Sequence, residues 1–267
     1  MIIAKHPAIL TDTTKCIGCE ECVAACKKAN GLGRDLPTRD PNPDGLSATR
    51  WTSIMIRPGG KYVRKQCRHC EHPACVSVCP VGALQKTAEG PVIYDGSKCM
   101  GCRYCMMACP YGVPRYTWTE AVPYIRKCIL CYPRLKEGKQ PACTEACPQE
   151  ATIFGDRAAL IAEANRRIQA EPGKYVNKVF GVKEIGGTSV LYISDIEIDF
   201  LGWRKELGDE ALPESTWRVL KTVPPLFVGA GGLMGALYWI FDRRNKVPRE
   251  ESVKSNERSA EKNEQDS

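Results

Sequence analysis

Over its first 155 residues this chain places apolar residues in short bursts broken by Gly, Pro and charge. That pattern predicts brief strands and helices between loops. Residues 62–63 and 92–94 read as short strands entering loops, and 22–28 and 105–109 as short helices. The stretch 37–49, with its Pro, Asp, Asn and Gly, reads as a surface loop. Beyond residue 155 the period changes. Asp156 can cap a helix over 156–170, where Leu160, Ile161, Ala164 and Ile168 recur at helical spacing and mark a packing face. Residues 190–193, after Gly186 and Gly187, read as a strand.

The longest uncharged run lies near the C-terminus. Residues 226–241 would make about 24 Å of helix, short of a hydrocarbon core of about 30 Å. Val223, Pro224 and Pro225 lengthen it, and Pro is tolerated at a helix start. A single membrane span over 222–241 is therefore expected, with a core helix as the alternative. The charged tail 242–267 is expected to be disordered. Arg243, Arg244, Lys246 and Arg249 crowd the far side of the span, against Arg218 and Lys221 on the near side. The positive-inside rule then places the tail in the cytoplasm and the rest on the outer side of the inner membrane. Tyr238 and Trp239 suit the inner interface, and Gly231 and Gly235 permit close helix packing, a weak signal alone. Residues 1–15 show neither an apolar signal core nor a twin arginine, and read as no secretory signal.

Cysteine spacing changes the picture most. The chain has 16 cysteines, and all fall into groups of four ending in a C-x3-C step. They are Cys16, Cys19, Cys22 and Cys26; Cys67, Cys70, Cys75 and Cys79; Cys99, Cys102, Cys105 and Cys109; and Cys128, Cys131, Cys143 and Cys147. The first and third groups read C-x2-C-x2-C-x3-C; the second and fourth widen the middle gap. Pro80, Pro110 and Pro148 follow the last cysteine of three groups, and Lys27 stands there in the first. This spacing is that of 4Fe–4S clusters, three thiolates from one loop and the fourth serving a neighbouring cluster. Structural zinc uses C-x2-C pairs but not the third and fourth cysteines at this spacing. Disulfide frameworks belong to short secreted chains.

Four clusters are therefore expected, in two modules that exchange their fourth ligands. Groups two and three are close in sequence and make one module; groups one and four make the other, around it. The expected ligand sets are Cys16, Cys19, Cys22 with Cys147; Cys128, Cys131, Cys143 with Cys26; Cys67, Cys70, Cys75 with Cys109; and Cys99, Cys102, Cys105 with Cys79. The fold class that follows is α+β, two bacterial ferredoxin-like modules with one inserted in the other, plus a C-terminal transmembrane helix. The expected domains are a four-cluster region over 1–155, a packing helix, strand and linker over 156–221, the span and the tail.

The formal charge is +7. Oxidised cubanes with their thiolates carry about −2 each, so the basic balance reads as compensation for clusters rather than a nucleic-acid surface. Lys15, Lys27, Lys65, Arg68, Lys98, Arg103 and Lys127 lie beside cluster ligands, where a cation raises a cluster's potential if it is buried. His69 and His72 flank Cys70 and read as hydrogen-bonding or packing residues, since four thiolates already serve each cluster.

The blocks KQCRHCEHPACVSVCPVGAL (65–84), CMGCRYCMMACPYGVPRY (99–116), RKCILC (126–131), PACTEACPQEATIFGDR (141–157) and GGTSVLY (186–192) resemble a known family. It is that of the four-cluster, membrane-anchored electron-transfer subunits of respiratory hydrogenases and formate dehydrogenases, and the likeness covers nearly the whole chain. The resemblance implies a subunit bridging a catalytic partner (nickel–iron, or molybdenum/tungsten) and a membrane cytochrome or quinone-reactive subunit, and it implies the same ligand exchange. The cysteine blocks are shared with nitrate, dimethyl sulfoxide and polysulfide reductase subunits. Nitrate reductase relatives carry Trp in the third group, where this chain keeps Cys102. Hydrogenase-type relatives often carry a twin-arginine signal of their own, which leaves the catalytic partner open.

No catalytic triad, carboxylate pair or nucleotide loop appears. The expectation is a non-catalytic electron conduit. Its rivals are a reductase subunit, a soluble polyferredoxin, and a zinc-rich structural or nucleic-acid-binding module.

Overall fold

A computed structural model describes residues 4–34, 43–118, 120, 124–197 and 208–265. Its centre is β1 (Pro7–Asp12), a fully buried strand. β1 pairs with two strands far away in sequence, and the other six described strands form three local hairpins. In order come α1 (Glu21–Ala29), the hairpin β2 (Thr52–Arg57) and β3 (Lys61–Gln66), α2 (Ala74–Ser77), then β4 (Leu84–Lys86) and β5 (Val92–Tyr94). Next are α3 (Tyr104–Ala108), β6 (Arg115–Tyr116), β7 (Ile125–Arg126), α4 (Tyr132–Lys136), α5 (Ala142–Glu145), β8 (Thr152–Asp156) and α6 (Arg157–Ala170). The chain continues with β9 (Val190–Ile193), α7 (Leu212–Leu220) and α8 (Val223–Gln265).

The three-stranded sheet has the order β8-β1-β9. β1 runs antiparallel to β8, with Ile9 opposite Phe154, and parallel to β9, with Ile9 opposite Val190. Side chains alternate across a strand, so this sheet has two distinct faces. Ala8, Leu10, Leu191 and Ile193 lie on the face covered by α6, whose Leu160, Ala164 and Ile168 fill the contact. Ile9, Val190 and Tyr192 face the other way, onto Val23, Val63, Leu130 and two cysteines, Cys22 and Cys143. The sheet is thus a wall, with packing on one side and the cysteine region on the other.

The helix expected over 156–170 is α6, and Asp156 caps it by accepting from the Ala158 N–H at 3.1 Å. The short elements expected at 62–63, 92–94, 22–28 and 190–193 fall within β3, β5, α1 and β9, and that expected at 105–109 matches α3 except for Cys109, which is extended. Of the loop expected over 37–49, residues 37–42 lie outside the described residues; the remainder forms neither helix nor strand. β1, β2 and β8 were not anticipated from the sequence.

The chain divides into two units, Met1–Glu214 and Ser215–Ser267. Within the stretch Leu212–Lys246 is a helical window long and apolar enough to cross a membrane, with none of it buried against protein. Pro224 and Pro225 sit in the first turn of α8, where no N–H donor is lost to the helix. The expectation of a disordered tail is corrected: α8 continues to Gln265. Glu, Arg and Lys make up half of the segment 242–265 and are strong helix formers. Lys246 also pairs with Asp242 one turn earlier, at 2.7 Å.

Candidate metal centres

In each cysteine group the residue before the second cysteine has positive φ: Gly18 at +73°, His69 at +48°, Gly101 at +74° and Leu130 at +54°. Four loops therefore share one backbone turn, although their sequences differ. Glycine adopts it freely. His69 and Leu130 hold it while almost wholly buried, which requires their surroundings to enforce it. Gly18 is further constrained, because a Cβ there would lie 2.6 Å from the Tyr62 ring.

After the turn a short helix carries later cysteines inward. α1 buries Cys22 and Cys26, α3 buries Cys105 and α5 buries Cys143. Thiols from different groups meet. Cys16, Cys19, Cys22 and Cys147 line one cavity, together with Arg64. Cys79, Cys99, Cys102 and Cys105 line another. The remaining eight fall into two further neighbourhoods by the charges each thiol feels. Cys128 feels Cys26 most, then Cys67 of the other neighbourhood, then Cys143 and Cys131, and Cys26 feels Cys143 and Cys131. Cys70 feels Cys67, Cys109 and Cys75. Cys26 also feels Cys22, because α1 carries both.

These thiols fit an iron–sulfur cluster better than a single ion. Among the described residues, no three His, Cys, Asp or Glu side chains converge closely enough to hold one metal ion. Zinc would draw four sulfurs to about 2.3 Å from one centre. Instead the thiols of each set line an open pocket without converging on one point.

Burial sets the thiol chemistry. It pushes Cys22, Cys26 and Cys75 up to about 12 and Cys105 to about 11. Cys70 and Cys128 are raised well above the ordinary thiol value for the same reason. Such thiols stay protonated and unreactive until iron displaces the proton, so metal loading and folding are coupled.

The cations named from sequence separate into two sets. Lys65, Arg68 and Lys127 are buried, whereas Lys98 is exposed. Lys65 pairs with Asp44 at 2.9 Å. Arg68 donates to the Val190 carbonyl at 2.9 Å and lies over the Tyr192 ring. Lys127 donates to the carbonyls of Val92 and Cys128. His69 accepts from the Val92 N–H through Nδ1 at 3.0 Å, which makes it a hydrogen-bonding residue of the loop. Burial and the nearby Lys127 and Lys86 keep its pKa low and its ring neutral. Arg64 was missed from sequence; its place in a strand beside a cysteine block was the only available signal.

A family profile described as a 4Fe-4S dicluster domain matches residues 59–157. A protein of Nitratidesulfovibrio vulgaris (strain Hildenborough) is 41% identical over 263 residues, 92% of this chain and 70% of that relative. The hydrogenase-2 operon protein HybA of Escherichia coli O157:H7 is 38% identical over 238 residues, 72% of this chain and 71% of that one. The iron-sulfur subunit of the nitrate-inducible formate dehydrogenase of Escherichia coli K12 is 34% identical over 200 residues, 70% of this chain and 67% of that one. The chain belongs to the iron–sulfur electron-transfer subunits of respiratory oxidoreductases. As such a subunit it serves an oxidoreductase complex, carries 4Fe–4S clusters and relays electrons rather than transforming a substrate.

Proposed function

We propose that this electron-transfer subunit holds four 4Fe–4S clusters in two ferredoxin-like modules, one inserted in the other. The observation that carries this is the meeting of thiols from different groups: Cys147 shares a cavity with Cys16, Cys19 and Cys22, and Cys79 shares one with Cys99, Cys102 and Cys105. The shared left-handed turn of all four loops supports four equivalent sites. The residues holding the clusters are then Cys16, Cys19, Cys22 and Cys147; Cys26, Cys128, Cys131 and Cys143; Cys67, Cys70, Cys75 and Cys109; and Cys79, Cys99, Cys102 and Cys105. A bound cluster supplies a one-electron site, and four of them supply a relay.

The electrostatic reach between thiols supports an order for these sites. Cys22 feels Cys143, Cys128 feels Cys67, and Cys75 feels Cys105. The thiol sets therefore follow one another in a single file, from the Cys16 loop to the Cys99 loop. The ends of that file lie nearest the surface: Cys19 is exposed, and Met100, Tyr104 and Met107 are exposed around the Cys99 loop. The interior sets are drier, with Cys67, Cys128, Cys131 and Cys143 all buried. Electrons thus enter and leave at the ends while the middle stays shielded from water.

The catalytic partner belongs to the hydrogenase or formate dehydrogenase class, and α8 anchors the chain beside a membrane cytochrome or quinone-reactive subunit. The clusters lie on the outer side of the inner membrane and the C-terminus in the cytoplasm. The similarity to HybA and to the formate dehydrogenase subunit supports the first statement. The unburied apolar helix and the cluster of Arg243, Arg244 and Lys246 support the others.

Ligand exchange is testable one thiol at a time. Cys109→Ser is expected to alter the same cluster signal in low-temperature electron paramagnetic resonance as Cys70→Ser. Perturbation of the signal that Cys102→Ser alters would show that Cys109 serves its own group and would end the exchange reading.

A further inference from the structure

Five basic side chains are buried among the described residues: Arg57, Arg64, Lys65, Arg68 and Lys127. Four have oxygen partners within the protein. Arg57 pairs with Asp195, Lys65 with Asp44, and Arg68 and Lys127 donate to backbone carbonyls. Arg64 differs. It is 2% exposed, and none of its three guanidinium nitrogens has a hydrogen-bond partner. An uncompensated guanidinium in a dry interior is among the most costly groups a protein can bury.

What Arg64 faces is sulfur. It lines the cavity of Cys16, Cys19, Cys22 and Cys147. Cys143, which belongs to the neighbouring thiol set, lies within reach of its charge. Its charge is felt at Cys16, Cys22 and Cys26. A guanidinium keeps its proton in proteins even when buried, so the group stays cationic. Its backbone is pinned as well, since Tyr192 Oη donates to the Arg64 carbonyl at 2.6 Å. β3 therefore holds a positive charge at the seam between two thiol sets, with no carboxylate paired to it among the described residues; Glu20, which lines the same cavity, pairs with Arg50.

We propose that Arg64 is a potential-setting residue for the first two sites of the file, a role that rests on the cluster assignment above. Its counter-charge is the excess negative charge of the clusters and their thiolates. Reduction adds one electron to a site without making or breaking a bond and without a proton. Arg64 stabilises the added charge, so it shifts both neighbouring sites toward the reduced form. The donor is a one-electron reductant, supplied by the partner subunit in the complex and by dithionite in the experiment. By this account the Cys16 end of the file is held at a higher potential than its ligands alone would give.

The test uses the full chain, in its complex and purified without oxygen. Iron is counted first, then each cluster signal is titrated against potential with dithionite. A wild-type iron count far below about sixteen per chain would sink the cluster assignment itself, before any variant is compared. With iron complete, Arg64→Gln is expected to disfavour reduction of at least one cluster by tenfold or more, about 59 mV for a one-electron couple. Arg64→Lys, which keeps the charge, is expected to retain most of the wild-type potential. Arg166→Gln, at an exposed position of α6, is expected to shift nothing. Unchanged potentials in iron-complete Arg64→Gln protein would overturn the proposal. If Arg64→Gln will not hold iron, Arg64→Lys decides. Full iron at near-native potentials supports a role for the charge, and iron loss in both variants makes Arg64 a packing residue and ends the proposal.

Discussion

Gly18 shows how tightly one residue can be specified by a metal site. It combines φ of +73° with the Tyr62 ring lying where a Cβ would stand. Gly18→Ala is therefore expected to cost on the order of 1–3 kcal/mol and to lower the iron retained after purification. Unchanged thermal stability and full iron would show that the loop adapts. Asp195 illustrates a different control. Burial opposes its charge, but the Arg57 and Lys61 cations outweigh it and hold the carboxyl at about 2. An unfolded Asp titrates near 3.9. A depressed folded value means the stabilisation is complete above about 3.9 and lost as pH falls toward 2. Asp195→Asn is thus expected to lower the melting temperature clearly at pH 6 and less at pH 3, measured beside wild type so that acid loss of iron is common to both. An equal deficit at both values would contradict the ion-pair account. His69 and Leu130 belong to this scale too. Sequence marks both as ordinary loop residues, because positive φ in a non-glycine residue leaves no trace in composition.

At the scale of elements, sequence and structure agree where a local rule decides. α6 was readable because Asp156 is a capping residue and Leu160, Ala164 and Ile168 keep one helical face. The helices after the cysteine loops were readable because cluster spacing forces a turn and then a helix. β1, β2 and β8 were not. Pro7–Asp12 is too short and too uniformly buried to show alternation, and its partners begin at residues 152 and 190. Arg64 was overlooked for a related reason. A charged residue in a strand reads as solvent-facing, and its burial comes from what packs over β3. The tail 242–267 was misread because charge was taken as disorder, whereas its helix formers sustain α8. The anchor prediction sits at this scale. Removing 222–267 is expected to move the chain from the membrane fraction to the soluble fraction while iron content is kept. Continued membrane retention by the purified, partner-free chain would argue against α8 as the anchor.

Across the whole molecule, the sheet β8-β1-β9 and the cysteine loops explain each other. One face of the sheet is closed by α6, and the other meets Cys22 and Cys143. The protein core is thus partly made of ligands, and burial leaves many of those thiols unable to ionise without metal. Sequence alone was enough to group the thiols and to name the family, because spacing records which cysteines share a loop. Spacing carries no information on the order proposed for the sites, which rests on proximities such as that of Cys128 to Cys67, 61 positions away. The most direct measurement is the iron and acid-labile sulfide content of chain purified without oxygen. Four clusters predict about sixteen of each per chain; a loaded, folded preparation holding about eight, or holding zinc in place of iron, would contradict the account.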